Sequence, residues 1–379
     1  MGSSFTVAVD ARTASGAYTG IGRYTTALVT ALRDTAPDLS MLVIVTEAAR
    51  AGFGALEGPR VELHATSMEV SRHPAADFWL HVTLPALMRQ RSIPLLFSCA
   101  NYLPALSGGA RRILTIHDLV PFRHPELDPW TFVVYLRGML RLGARVADRI
   151  VAVSESTARE IVEILGVDRD RIDVVYNGVQ PAFRKLSAEE LERRQLDAVG
   201  EGPFVLGVGA RIPRKNFGRL IEAVALLRKR GYPHRLVIAG PPGLSQPELE
   251  RLVEAHGLES GVVFIGYADD EMLLTLYNRA ALFVYPSIYE GFGIPMVEAM
   301  ACGTPVACSW TSCMPEIAGE AAQYFDPYDA TSIATACEAA LAEGGQARAD
   351  RVALGFARAA RFTWEEAARQ TAAVFRRTL

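Results

Sequence analysis

Twice along this chain, short runs of aliphatic and β-branched residues alternate with amphipathic helical stretches, and that alternation leaves few folds open. Strands separated by helices pair in parallel, with the crossover helices covering the sheet. In the first half, Thr6–Val9, Leu42–Val45, Arg112–Ile116 and Ile150–Val153 read as strands, with Asp173–Val175 as the last. Tyr24–Arg33 and Trp130–Ala147 read as helices between them. The series restarts at the strand Phe204–Val208 and the helix Asn216–Arg230, whose Leu220, Ile221, Val224 and Leu227 share one face. Strands at Arg235–Ala239, Val262–Ile265, Leu282–Tyr285 and Pro305–Cys308 then alternate with helices at Pro247–His256, Asp269–Arg279 and Pro295–Ala301.

A chain of 379 residues exceeds one ordinary core and suits two domains. The polar stretch 186–202, ending in Glu201-Gly202-Pro203, is the expected linker between domains at 1–185 and 203–355. The expected fold class is α/β, two doubly wound Rossmann-like domains with a cleft between them. In such domains ligands bind at the carboxyl ends of the strands.

Half the residues are hydrophobic and the formal net charge is −3, so a folded chain is expected and a nucleic-acid binder is not. The five cysteines, at 99, 302, 308, 313 and 337, are odd in number and irregularly spaced, which argues for buried thiols in a reducing cytoplasm. The N-terminus lacks the basic and apolar regions of a secretory signal, and no window offers the roughly 20 apolar residues of a membrane span. A cytoplasmic protein is expected. Arg137, Arg141, Arg145 and Arg149 recur every four residues on a predicted helix, a row that could face an anionic leaflet or be a solvated, salt-bridged face. Peripheral membrane contact stays open on that ground, and oligomeric state has no signature.

The richest segment runs YPSIYEGFGIPMVEAMACGTPV from Tyr285 to Val306. A buried strand ends at Pro286-Ser287, a loop carries Glu290, Gly291 and Gly293, and a helix opens with Pro295 in its first turn. Glu290 and Glu298 flank seven residues. Carboxylates at the carboxyl edge of a sheet can accept hydrogen bonds from a vicinal diol, and the glycines let backbone N–H groups approach a ligand. Two acids at this spacing, taken alone, also fit an ordinary strand–loop–helix connection.

The whole string resembles the signature of glycosyltransferase family 4, retaining enzymes of GT-B architecture that use nucleotide-sugar donors. That resemblance implies two Rossmann-like domains facing a central cleft, the first acceptor-binding and completed by the C-terminal helix at 362–379, the second nucleotide-sugar-binding. It implies that Glu290 touches the donor sugar, that Glu298 holds the ribose, and that the backbone of Phe292, Gly293 and Ile294 caps sugar hydroxyls. Upstream, GVGARIPRKNF follows a strand and leads into a helix, an arrangement suited to an anion. The family sets an Arg and a Lys here against the donor diphosphate. Lys215 matches the Lys; the Arg position aligns on Ala210, so Arg211 and Arg214 are both candidates, Arg211 carried as catalytic and Arg214 as substrate-binding.

In the first domain, TIHDLVP resembles the family segment whose His reaches the donor sugar across the cleft, making His117 the candidate there. Asp118 either orients that imidazole or shapes the turn. Gly20 and Gly22, in the segment Tyr18–Tyr24, match a Gly loop near the donor phosphates and acceptor. Gly266-Tyr267-Ala268 matches the place where the backbone frames the nucleotide base, so Tyr267 and Ala268 join the donor site. Ser154 reads as a helix N-cap, Asn177-Gly178 as a turn and Trp364 as a packing anchor.

The implied reaction moves a hexosyl group, with mannosyl favoured, from a nucleotide-diphosphate sugar to a hydroxyl of a saccharide, lipid-linked or small-molecule acceptor. No cofactor or metal is expected. Lys215 with Arg211 or Arg214 would stabilise the leaving diphosphate, one of whose oxygens takes the acceptor proton. Domain closure over the donor is expected. A nucleotide-sugar epimerase on the same architecture, or a subunit that keeps the fold without turnover, are the competing readings.

Overall fold

The computed structural model describes residues 4–14, 20–70, 74–194 and 196–379. The chain divides into two compact units, Met1–Gly178 with Thr363–Leu379, and Val179–Phe362.

The first unit is built on seven strands: β1 Phe5–Asp10, β2 Leu39–Thr46, β3 Val61–Thr66, β4 Leu95–Ser98, β5 Arg111–Ile116, β6 Arg149–Ala152 and β7 Ile172–Val174. Their order is β3-β2-β1-β4-β5-β6-β7, all neighbours parallel. Val7, Val9, Phe97, Ile113, Leu114 and Ile150 are fully buried, because crossover helices cover both faces of a parallel sheet. Helix Trp364–Thr378 belongs to this unit, where Trp364 packs edge-on against Tyr24, ring centroids 5.8 Å apart. Gly178 is required here: a Cβ on it would lie 2.2 Å from the backbone nitrogen of Trp364.

The second unit has six strands: β8 Phe204–Val208, β9 Arg235–Ala239, β10 Val262–Ile265, β11 Leu282–Tyr285, β12 Val306–Ser309 and β13 Ala322–Phe325. The order is β10-β9-β8-β11-β12-β13, again parallel throughout. Both sheets reverse direction once, between β1 and β4 and between β8 and β11, and those reversals are the switch points where doubly wound sheets take ligands.

Strands β3, β4 and β13 carry little periodic signal and were absent from the sequence reading. β3 and β13 are sheet-edge strands, and β4 is a four-residue buried run after Pro94. The polar stretch 186–202 lies in the second unit, whose boundary falls earlier, at Gly178/Val179. It is stitched there by Leu186 N donating to Asn278 Oδ1, by Arg194 pairing with Glu271 and by Arg279 donating to the Arg194 carbonyl.

The arginine row is not a continuous face. Helix Trp130–Val146 ends before Arg149, which lies in β6 and pairs with Asp173 at 2.6 Å. Arg137 donates to the Pro121 carbonyl, whereas Arg141 and Arg145 are exposed. The outward side of this helix therefore runs from Trp130, 75% exposed, and Val134, 58% exposed, to two arginines. Tyr135 donates to Asp77 Oδ1 and so ties that helix to the segment bearing Phe78 and Val82, also exposed. No helix among the described residues is long and apolar enough to cross a membrane. All five cysteines are buried and unbridged.

Candidate active site

The loops after β8 and β11 meet at the switch point of the second unit. The Ile288 N–H donates to the Arg214 carbonyl at 3.0 Å, joining the two loops through their backbones. Asn216 caps the first loop with φ +56°, a left-handed conformation that Asn tolerates, and its Nδ2 donates to the carbonyls of Pro286 and Pro327. Lys215 is thereby aimed across the edge of β11. Its Nζ donates to Glu290 Oε1 at 2.6 Å and to the Tyr285 hydroxyl at 3.0 Å. Arg214 completes the cluster, with NH1 2.7 Å from Glu290 Oε2 and 2.9 Å from the Tyr289 carbonyl.

Glu290 is 8% exposed, and two cations surround its carboxylate. Burial pulls its pKa upward, but Arg214 and Lys215 outweigh that and hold it at about 2 against an ordinary 4.5. Burial, and next the charge of Glu290, raise the Tyr285 phenol well above its usual value, so it stays protonated. The Glu290 N–H donates to Ser312 Oγ at 3.1 Å, and Thr311 Oγ1 donates to the Ile288 carbonyl. Lys215 and Arg214 thus hold the carboxylate from the β8 side and Ser312 holds its backbone from the β12 side, a buried and preorganised group.

Gly293 begins helix Ile294–Ala301 with φ +87°, and a Cβ there would sit 3.2 Å from the Tyr285 ring. Phe292 is buried edge-on against Phe362, and Gly293 beside it is buried too, with Ile294 half-buried at the helix start. Glu298, one turn into that helix, is 2% exposed and accepts a hydrogen bond from the Tyr277 hydroxyl at 2.9 Å. Tyr267 is half exposed and Ala268 buried just past β10, where the Gly266 carbonyl accepts from the Gly240 N–H.

Arg211 is not with this group. It is 4% exposed, lies over the Phe264 ring and donates to the Ile265 carbonyl at 3.1 Å. Its burial lowers its pKa, and its Nε has no hydrogen-bond partner among the described residues. Between the two arginines the sequence left open, the structure brings Arg214 to Glu290 and sends Arg211 to the end of β10.

In the first unit, His117 follows β5 directly and is 9% exposed. Its Nε2 lies 2.7 Å from the Cys99 carbonyl, which can only accept, so Nε2 carries the hydrogen and Nδ1 is the acceptor of the neutral ring. The edge of Tyr24 meets the imidazole at 4.6 Å between centroids. Burial lowers the His117 pKa, with the Cys99 carbonyl and Asp118 pulling the other way. Asp118 Oδ1 accepts from the Val120 N–H, a turn-shaping contact. Gly20 and Gly22 lie in the first turn of helix Gly20–Thr35 and not in a loop before it; Tyr18 and Thr19 fall outside the described residues.

Tyr285, Tyr277 and Ser312 each hold a site residue, Asn216 ties the loops after β8, β11 and β13 together, and all four were missed from the sequence. Tyr285 opens the family string, yet its hydroxyl function depends on Lys215 arriving from another loop. No group of three or more His, Cys, Asp or Glu that could hold a metal occurs among the described residues.

Comparison with known proteins adds to this geometry. A family model described as glycosyltransferase family 4 matches residues 18–183, and one described as glycosyl transferases group 1 matches residues 188–353. O-antigen chain mannosyltransferase B of Escherichia coli is 35% identical over 268 residues, covering 69% of this chain and 69% of that protein. The serotype-specific mannosyltransferase WbdA of Escherichia coli is 32% identical over 286 residues, 73% of this chain but 35% of that protein. Among solved structures, Anabaena Alr3699/HepE in complex with UDP and glucose superposes with TM-score 0.76 at 22% identity, covering 98% of this chain and 99% of that one. The expected fold class, GT-B with two parallel-sheet Rossmann-like domains, is the one found.

Proposed function

The chain belongs to glycosyltransferase family 4, and on that premise we propose that it moves a hexosyl group, mannosyl by preference, from a nucleotide-diphosphate sugar to an acceptor hydroxyl. The acceptor we favour is a saccharide, free or lipid-linked, in the synthesis of a surface polysaccharide; a small-molecule acceptor fits the same chemistry. The observation that carries this reading is the cluster of Lys215, Arg214 and Glu290 at the switch point of the second sheet. The preference for mannose rests on the names of the two relatives, both mannosyltransferases.

In this reading Lys215 and Arg214 face the diphosphate and stabilise the charge that builds there as the glycosidic bond breaks. Glu290 holds the two cations in place and meets the donor sugar. The backbone at Phe292–Ile294 caps its hydroxyls, Glu298 holds the ribose, and Tyr267 with Ala268 frames the base. Arg211 supports that base-side loop through the Ile265 carbonyl. His117 serves the sugar as a neutral acceptor through Nδ1, while Asp118 shapes its turn and Gly20 and Gly22 open the first helix to a phosphate or hydroxyl. Transfer proceeds with retention and without a metal, a diphosphate oxygen taking the acceptor proton.

We place the protein in the cytoplasm, with peripheral contact to an anionic membrane leaflet through Trp130 and Val134 and the nearby Arg141 and Arg145. The reading is tested by incubating the protein with GDP-mannose, UDP-glucose and a dTDP-sugar, each with and without a mannosylated acceptor. Nucleotide release that rises with acceptor is the expected outcome. No release and no thermal stabilisation by any nucleoside diphosphate would overturn it.

A further inference from the structure

Strand order also orders the chemistry along the carboxyl edge of the second unit. From one end run β10, followed by Tyr267 and Ala268; β9; β8, followed by Arg214 and Lys215; and β11, followed by Glu290. Under the function proposed above, on which this inference rests, the edge from β10 to β11 takes base, diphosphate and sugar in sequence. Beyond the sugar position lie β12 and β13, which that function leaves without a role.

Two large aromatic rings stand there. Trp310, the first residue past β12, is 62% exposed, and Tyr328, three past β13, is 58% exposed. The Trp310 N–H donates to the Phe325 carbonyl at 2.8 Å, and its ring packs edge-to-face on Tyr324 at 4.6 Å between centroids. The Tyr324 hydroxyl is itself anchored to the Gly319 carbonyl. The indole is therefore held by its backbone and by a buttress while most of its surface stays open. Among the described residues of this unit, the Phe, Tyr and Trp side chains at least half exposed are Tyr267, Trp310 and Tyr328, and each lies within three residues of a strand's carboxyl end. Scattered surface apolar groups would not all gather on the ligand-bearing edge.

The same loops hold the ion cluster. Two residues after Trp310, Ser312 accepts from the Glu290 N–H, and next to Tyr328 the Pro327 carbonyl accepts from Asn216, the neighbour of Lys215. We propose that Trp310, with Tyr328 on the loop after the neighbouring strand, is a stacking platform for a pyranose ring of the saccharide acceptor, adjacent to the sugar being transferred. A pyranose presents a face of C–H groups with its hydroxyls at the rim. A flat indole covers that face, its electron-rich surface meets the polarised C–H hydrogens, and its rim leaves the hydroxyls in water.

Mannotriose and maltotriose, each titrated into the full-length protein in the presence of saturating GDP, test this directly. Of the four tryptophans, Trp79 and Trp364 are buried, so in W130F Trp310 is the exposed indole that remains, and the part of the change lost on adding Trp310→Phe is its signal. A saturable change in tryptophan fluorescence with at least one trisaccharide is expected. By calorimetry, Trp310→Phe should keep that affinity within about threefold and Trp310→Ala should lose it by tenfold or more. GDP and UDP affinity, measured on the same samples, should be unchanged in both. Wild-type affinity in Trp310→Ala, no response to either trisaccharide, or equal loss of nucleotide binding in that variant overturns the platform. Failure of the wild type to bind any nucleotide sinks the donor reading instead, and the saccharide titration still judges Trp310.

Discussion

The ammonium of Lys215 lies 2.6 Å from the carboxylate of Glu290, 75 residues away along the chain, and Arg214 holds the other oxygen of the same carboxylate. One anion thus sets the position of two cations at the carboxyl edge of the second sheet. Burial makes the arrangement rigid, because a buried charge that loses its partner is costly.

Glu290→Gln should keep the shape and lower transfer about 100-fold or more, on the scale seen when a preorganised charge contact is lost. Both variants should lose stability, Glu290→Ala more, by about 3–5 kcal/mol, because it takes from Arg214 and Lys215 the buried carboxylate that both pair with. Steady-state rates alongside denaturant melts separate the two effects. Near-normal turnover in the Gln variant removes Glu290 from the reaction.

Arg214→Ala and Lys215→Ala should each weaken nucleoside diphosphate binding at least tenfold, about 1.4 kcal/mol. Arg211→Ala should leave the diphosphate affinity near normal and lower the melting temperature, since Arg211 is buried at the end of β10. Calorimetric titration with GDP and UDP decides between them. A larger loss from Arg211→Ala than from Arg214→Ala reverses the assignment.

Stability should fall on acidification. The folded pKa of Glu290 is depressed, to about 2 from an ordinary 4.5, so the unfolded chain binds its proton first as pH drops. The contribution is full above about pH 4.5 and lost towards pH 2. Melts of wild type and Glu290→Gln between pH 6 and 3 check this: the difference between them should shrink as pH falls, and a constant gap excludes the linkage.

Vesicles containing phosphatidylglycerol should sediment the protein, and neutral vesicles should do so weakly. Trp130→Ser with Val134→Ser should abolish that binding without lowering the melting temperature, since both side chains are exposed. Raising salt should weaken what the arginines contribute. Equal binding to neutral and anionic vesicles rules out the charged component.

Much of the fold and part of the site were legible along the chain. Buried parallel strands are dense apolar runs, so β8 to β12 could be placed from composition, while β3, β4 and β13 are short or lie at edges where the pattern thins. The side-chain cap of Asp269 on Met272 and that of Ser154 on Thr157 follow from local hydrogen bonding alone. The choice between Arg211 and Arg214 did not, since only Ile212 and Pro213 separate them and the path of the loop alone aims them. The arginine row at 137–149 is solvated at Arg141 and Arg145 and salt-bridged at Arg149, one of the two readings the sequence offered, but spacing does not say where the helix ends or what Arg137 and Arg149 meet.

By itself the sequence determined two parallel α/β sheets and the string from Tyr285 to Val306 that marks the family, because both are written in local residue pattern. Only the tertiary structure decided that Lys215 and Arg214 close on Glu290, that Tyr285 lies under the ammonium, and that Trp310 stands open past β12. Those relations follow from strand order: β8 and β11 are neighbours in the sheet and far apart in the chain, and hydrogen bonding across a sheet leaves no periodic mark in sequence.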